Sequence, residues 1–141
     1  MSRAEYDFAL EFSVRDYECD LQGVVNNAVY LNYLEHCRHE YLKTLNLDFA
    51  QLHQQGHDLV VTRCELEYRS SLRSSERFRV GLRPIQESLL RFAFIQTIHR
   101  LPNEELVLNG KIIGTCLSGG RPSFPDVIKQ ALGMAGPGTN F

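Results

Sequence analysis

A carboxylate, a tight turn and a helix start fall close together in Val14-Arg-Asp-Tyr-Glu-Cys-Asp-Leu-Gln-Gly-Val-Val-Asn-Asn-Ala-Val-Tyr-Leu-Asn-Tyr33. Asp20-Leu21-Gln22-Gly23 carries Asp at its first position and Gly at its fourth, the residues a type I turn favours, so Asp20 is expected at a bend. Asn26 or Asn27 then offers a side-chain oxygen to the amides that open a helix, and an apolar-periodic run begins at Tyr30. Helix-start amides carry partial positive charge and can hold an oxyanion, so a carboxylate beside them is what hydrolysis of an acyl group requires. Each feature alone has a plainer use: Asp in an Asp-x-x-Gly turn caps the turn, and Asn before a helix caps the helix. The combination is what points to chemistry.

The elements that must position this segment follow from periodicity. Phe8, Leu10, Phe12 and Val14 alternate with Ala9, Glu11, Ser13 and Arg15, the pattern of a half-buried strand running into the turn. Tyr30, Leu34, Cys37, Tyr41 and Leu45 repeat at helical spacing, with Asn46 as a candidate C-terminal cap and a further helical turn expected around Phe49 to His53. Four more strands are expected. One alternates through Cys64, Leu66 and Tyr68, one through Phe78, Val80 and Leu82, one runs from Leu90 through Phe92 and Phe94 to Ile98, and one from Leu106 to Leu117. Pro84 suggests a bulge or strand end, and Pro102-Asn103 a turn. One strand, one long helix and then consecutive strands is an α+β pattern.

A chain of 141 residues fits one domain, expected over residues 1–132, with a loose Gly/Pro-rich tail at 133–141. A formal charge of -2 exerts no broad pull on nucleic acid. No apolar run is long enough to span a membrane, and the N-terminus lacks the apolar core of a secretory signal, so a cytoplasmic protein is expected. Cys19, Cys37, Cys64 and Cys116 show no Cys-x-x-Cys spacing and no clustering with His; neither a metal nor another cofactor is expected. Cys37, Cys64 and Cys116 fall in apolar patterns where free cysteine acts as a small buried hydrophobe. Cys19 adjoins Asp20 but has no dedicated base in the sequence.

The Asp20 segment resembles the signature of the single-hotdog thioesterases, the family of 4-hydroxybenzoyl-CoA thioesterase and its acyl-CoA and acyl-carrier-protein relatives. Leu72-Arg-Ser-Ser-Glu-Arg-Phe78, Arg100-Leu-Pro-Asn-Glu104 and Arg121-Pro-Ser-Phe-Pro-Asp126 look like the small plant plastid acyl-carrier-protein thioesterases. The resemblance implies a hotdog fold, an antiparallel sheet of about five strands wrapped around one long central helix. It implies acyl-thioester hydrolysis, with Asp20 as nucleophile or general base and the backbone amides near Asn26 and Asn27 as oxyanion hole. The larger double-hotdog plant enzymes read Asp-x-Asn-x-His-Val-Asn-Asn; here Gln22 replaces their first Asn and Val24 their His, so a histidine mechanism has no residue to use.

Gln22, Gly23, Val24 and Tyr30 are the expected substrate contacts, and Arg91, like Arg63, is a candidate for a carrier phosphate because arginine suits phosphate recognition. Glu35, with Arg38 or His39, is expected to make surface or interface pairs. Tyr30, Leu34, Tyr41, Phe92 and Phe94 are expected to form core or to line an acyl tunnel. The expected partner is an acyl-carrier-protein or coenzyme A thioester. The expected assembly is a homodimer or homotetramer, because one small sheet leaves an edge strand uncovered. An aromatic acyl-CoA substrate and a noncatalytic acyl-thioester-binding hotdog are the competing readings.

Overall fold

Alternation and helical spacing produce the expected elements, with boundaries set by tertiary contacts. The computed structural model describes residues 6–134. Along the chain lie β1 (Phe8–Ser13), a 3-10 turn (Asp16–Glu18), α1 (Asn27–Lys43), α2 (Phe49–Gln54), β2 (His57–Tyr68), β3 (Arg77–Gln86), β4 (Arg91–Arg100), β5 (Glu105–Ser118), β6 (Arg121–Ser123) and α3 (Asp126–Ala131). The strands form one antiparallel sheet in the order β1-β3-β4-β5-β2, with β6 paired to β5. This sheet wraps one face of α1, the hotdog arrangement.

The core is the seam between α1 and the inward positions of the central strands. Tyr30, Tyr33, Leu34, Cys37 and Tyr41 are the buried face of α1, and they meet Phe78, Val80 and Leu82 of β3, Phe92, Phe94 and Ile98 of β4, and Leu108 and Ile112 of β5. α1 is capped at Thr44 rather than at Asn46, which lies two residues further on and takes the left-handed conformation, with φ 57°.

Several expectations change. Pro84 neither bulges nor ends its strand, because β3 continues to Gln86 with Pro84 opposite Phe94. Leu82 turns its carbonyl toward β1 to accept from the Asp7 amide, so the same side of Pro84, two residues on, lies past the end of β1 where no donor is needed. Cys64 is exposed rather than buried, because β2 is an edge strand whose middle extends beyond the cover of α1. α3 was not anticipated, since six residues are too few to show helical periodicity, yet Ile128, Leu132 and Met134 join the core. Met134 thus packs against the core, and residues 135–141 of the expected tail lie outside the described residues.

Gly114 of β5 marks the tightest crossing near this seam. A Cβ there would stand 2.6 Å from the Val60 carbonyl oxygen and 2.7 Å from the Phe92 ring. Gly114→Ala is expected to destabilise the fold by about 1–3 kcal/mol, the usual cost of overpacking, read as a lower midpoint of urea unfolding.

Candidate active site

Two loops at one end of the sheet build the site around the start of α1. In the first, Asp20 opens the tight turn foreseen for it: the Gly23 amide donates to the Asp20 carbonyl at 3.0 Å, and Gly23 takes φ 79°, a conformation open to glycine at little cost. The Asp20 Oδ1 accepts from the Gln22 amide at 2.8 Å and more weakly from Val24 at 3.4 Å. The Asp20 Oδ2 takes no hydrogen bond among the described residues, and the side chain is exposed. One carboxylate oxygen is therefore spent on holding the turn and the other is open.

Asn26 rather than Asn27 is the helix cap, its Oδ1 accepting from the Ala28 amide at 2.9 Å. The Asn26 carbonyl takes the Val29 amide, and the Asn26 amide donates to the Glu18 carbonyl at 3.0 Å. Asn27, the first helical residue, keeps an amide with no acceptor among the described residues. The turn thus presents an open carboxylate oxygen on the loop that ends at an open helix-start N–H.

The second loop runs between β2 and β3. The Val25 amide donates to the Leu72 carbonyl at 2.9 Å, Val24 bridges to Arg73, and Ser74 Oγ donates to Asp16. Arg73 lays its guanidinium 4.0 Å from where a Cβ on Gly23 would sit, and it makes no ion pair with a described residue. Leu21, at the turn's tip, and Tyr17 are among the most exposed large apolar side chains of the chain.

Of the remaining expected contacts, Gln22 and Gly23 are exposed and Val24 is half-buried in the same turn. Tyr30 lies beneath them and is 2% exposed, with its hydroxyl accepting from the Leu72 amide at 3.0 Å. It is a floor to the loops and offers no open face to a substrate within this chain. Arg91 stands apart from the Asp20 turn. It starts β4, whose other end, Arg100, donates to the Ser71 carbonyl beside the site, so Arg91 lies about 30 Å of strand away. Sequence distance concealed this, because position along β4 depends on its pairing.

The polar residues of α1 also differ from expectation. Glu35 makes no ion pair among the described residues; Arg38 instead donates to Gln96 Oε1 at 3.0 Å, and Gln96, fully buried, donates to the Leu34 carbonyl at 3.0 Å. Burial lowers the Arg38 pKa from its ordinary value. Gln96 was missed, although a lone amide among Phe92, Phe94 and Ile98 on the inward face of β4 was the available signal. Arg38 borders a groove of about 720 Å³ between α1 and β2, lined in part by Leu42, Phe49, Leu59, Phe92, Phe94 and Ile112. Phe92 and Phe94 therefore do line a cavity, whereas Leu34 is core alone. Cys19 is half-buried with its backbone bridged to Val25. The Cys37 thiol, buried on α1, is pushed up to about 12 by loss of solvent. Among the described residues no group of three or more His, Cys, Asp or Glu is arranged to hold a metal ion, and no helix is long and apolar enough to cross a membrane.

An antiparallel sheet around a helix whose first turn faces a carboxylate-bearing loop is the layout of a thioesterase-like protein. The family model of the thioesterase-like superfamily matches residues 14–132, and the chain belongs to that family. The chloroplastic acyl-acyl carrier protein thioesterase ATL3 of Arabidopsis thaliana is 40% identical over 108 residues, covering 77% of this chain and 57% of the relative. The chain thus spans a little more than half the length of that curated relative. Among solved structures, a thioesterase from Thermus thermophilus complexed with coenzyme A and zinc matches with a TM-score of 0.77 and 26% identity, over 90% of this chain and 98% of that one. The 1,4-dihydroxy-2-naphthoyl-CoA thioesterase Slr0204 from Synechocystis matches with a TM-score of 0.80 over 89% of this chain and 94% of its own, and at 19% identity it shares the fold.

The cap is the most local part of the site and can be tested by itself. Asn26→Ala removes the acceptor of the Ala28 amide and is expected to cost about 0.5–2 kcal/mol of stability, measured by thermal unfolding of the purified protein.

Proposed function

We propose that this protein hydrolyses acyl thioesters at Asp20. The observation that carries the reading is the pairing of an open Asp20 Oδ2 with an open Asn27 amide on one rigidly bonded loop. The thioester carbonyl oxygen is held by the Asn27 N–H, which bears the partial positive charge of the helix start. Asp20 then either attacks the carbonyl carbon, giving an acyl–Asp20 anhydride that water cleaves, or takes a proton from a water that attacks in its place. In both routes the C–S bond breaks and the electron pair leaves with sulfur as a thiolate, which needs less general-acid help than an amine would. Gln22, Gly23 and Val24 form the rim against which the thioester rests.

The acyl group is a fatty chain lying in the groove between α1 and β2, where Leu42, Phe49, Leu59, Phe92, Phe94 and Ile112 supply apolar surface beside charged and polar side chains such as Glu35, Arg38, Lys43 and Asp58. The carrier is acyl-carrier protein or coenzyme A; likeness to a plant acyl-acyl carrier protein thioesterase supports the former. A hydrolysis panel of acyl-CoA and acyl-carrier-protein thioesters, short to long chain plus aryl, tests this with wild type and Asp20→Asn. Each buried methylene adds roughly 0.8 kcal/mol until the groove is full, so kcat/KM is expected to climb with length, peak at a medium to long chain and fall. Asp20→Asn is expected to lower kcat by about two orders of magnitude or more. Near-wild-type turnover by a folded Asp20→Asn enzyme would sink the mechanism. Preference for naphthoyl- or benzoyl-CoA would move the substrate to the aryl class, and binding without turnover would leave a noncatalytic binder.

The assembly is a homodimer, or a homotetramer made of two dimers. β2 is an edge strand, and Val61 at 50% exposure, Tyr68 at 46% and the exposed Cys64 leave apolar surface along it. A second copy pairing along β2 covers that surface with the same surface, as a twofold axis requires. Sedimentation at working concentration is expected to show a dimer or tetramer, and an active monomer would refute the assembly.

A further inference from the structure

We infer that Tyr30 and Tyr33, one helical turn apart on α1, are positioning residues that hold the Asp20 loop and the open Asn27 amide in register. The inference rests on the thioester chemistry proposed at Asp20 and deepens it by naming what keeps that geometry.

The two residues that precede Asn27 are each held from the protein side. The Val25 amide donates to the Leu72 carbonyl, and the Leu72 amide in turn donates to the Tyr30 hydroxyl at 3.0 Å. The Asn26 amide donates to the Glu18 carbonyl, and the Glu18 carboxylate in turn accepts from the Tyr33 hydroxyl at 2.8 Å. The same carboxylate oxygen accepts from the Arg15 amide at 2.8 Å, which closes the 3-10 turn leading to Asp20. Two separate struts therefore run from the body of α1, one through the β2–β3 loop and one through the 3-10 turn, and they end on adjacent residues. Both rings are fixed in the core at 2% and 4% exposure, and they pack edge to face with centroids 6.1 Å apart. Each hydroxyl has a fixed origin and a single direction, so each strut sets a distance rather than merely filling space.

Neither phenol is suited to proton transfer in the reaction. Burial raises the pKa of both, and the hydrogen bond to Glu18 raises that of Tyr33 further, so both stay protonated through the working range. Their hydroxyls are also already committed to Leu72 and Glu18. A loss of activity on removing them is then a loss of geometry, and small errors in geometry are costly at a site this sparse.

The test combines Tyr30→Phe, Tyr33→Phe, their double variant, Glu18→Ala and Glu18→Gln in the full chain. Each Tyr→Phe change is expected to lower kcat about tenfold with KM changed less than about threefold, and the double variant more than either alone though not as their product, because the two rings are in contact. The pH profile of kcat should keep its shape, which a proton-transferring tyrosine would not allow. Glu18→Gln keeps an oxygen acceptor for Tyr33 and should recover most of the kcat that Glu18→Ala loses. Hydrogen exchange supplies a readout without chemistry: the Val25 amide should exchange faster in Tyr30→Phe and the Asn26 amide faster in Tyr33→Phe. Unchanged exchange and unchanged kcat in folded Tyr→Phe variants overturn the inference, as does equal loss in Glu18→Gln and Glu18→Ala. If the tyrosine variants fail to fold, the Glu18 pair still decides. An active Asp20→Asn enzyme instead removes the reaction on which the inference rests, whatever the exchange data show.

Discussion

Everything in this fold is arranged about the burial of one stripe of α1 in the curve of the sheet. Tyr30, Tyr33, Leu34, Cys37 and Tyr41 lose nearly all their solvent contact there, and fully burying a side chain such as Leu34 contributes about 1.5–3 kcal/mol. A helix seated in this way has no freedom to slide or roll, because the side chains interlock with β3 and β4 at close-packed density. Its N-terminus therefore has a defined position, and so does whatever is bonded to its first turn.

The candidate site exploits that rigidity by attachment. Neither of its loops has regular structure beyond a single 3-10 turn, yet both are stitched down by backbone bonds that link Val14 to Glu76, Ser75 to Val14, Val25 to Leu72 and Asn26 to Glu18. Many backbone groups are used in holding these loops, while one Asp20 oxygen and the Asn27 amide stay open among the described residues. The proposed thioester hydrolysis would need few residues, because a thioester asks little of a catalyst: a held carbonyl, a nucleophile or base, and a leaving group that departs unaided.

Polar groups also penetrate the apolar side of the molecule, with a different result. Gln96 is wholly buried between the helix and β4, and it is tolerated because its amide donates to the Leu34 carbonyl while its oxygen receives Arg38. On the other face of β3, Arg79 is buried at 3% exposure and makes a forked pair of hydrogen bonds to Glu104, the partner that raises its pKa, while its Nε has no hydrogen-bond partner among the described residues. Gln96, satisfied by one specific geometry, penalises alternative packings that an all-apolar core would accept.

What the sequence determined by itself is what depends on near neighbours along the chain. The Asp20–Gly23 turn, an asparagine cap before the helix, the left-handed Asn46, and the alternation of Phe78, Val80 and Leu82 all rest on bonds or contacts spanning a few residues, so residue type and spacing suffice to read them. The family resemblance joined those pieces into a fold. Only the tertiary structure decided that Tyr30 faces Leu72, forty-two positions away, that Cys64 stands on an uncovered edge, and that Arg91 lies at the far end of the strand whose other end reaches the site. It also decided that Pro84 stays within β3, since the missing donor matters only if a neighbouring strand is there to need it. The physical reason is common to these cases: periodicity says which face of an element is apolar, whereas what a given side chain meets depends on strand order, register and strand length, and those are set by packing the whole chain at once.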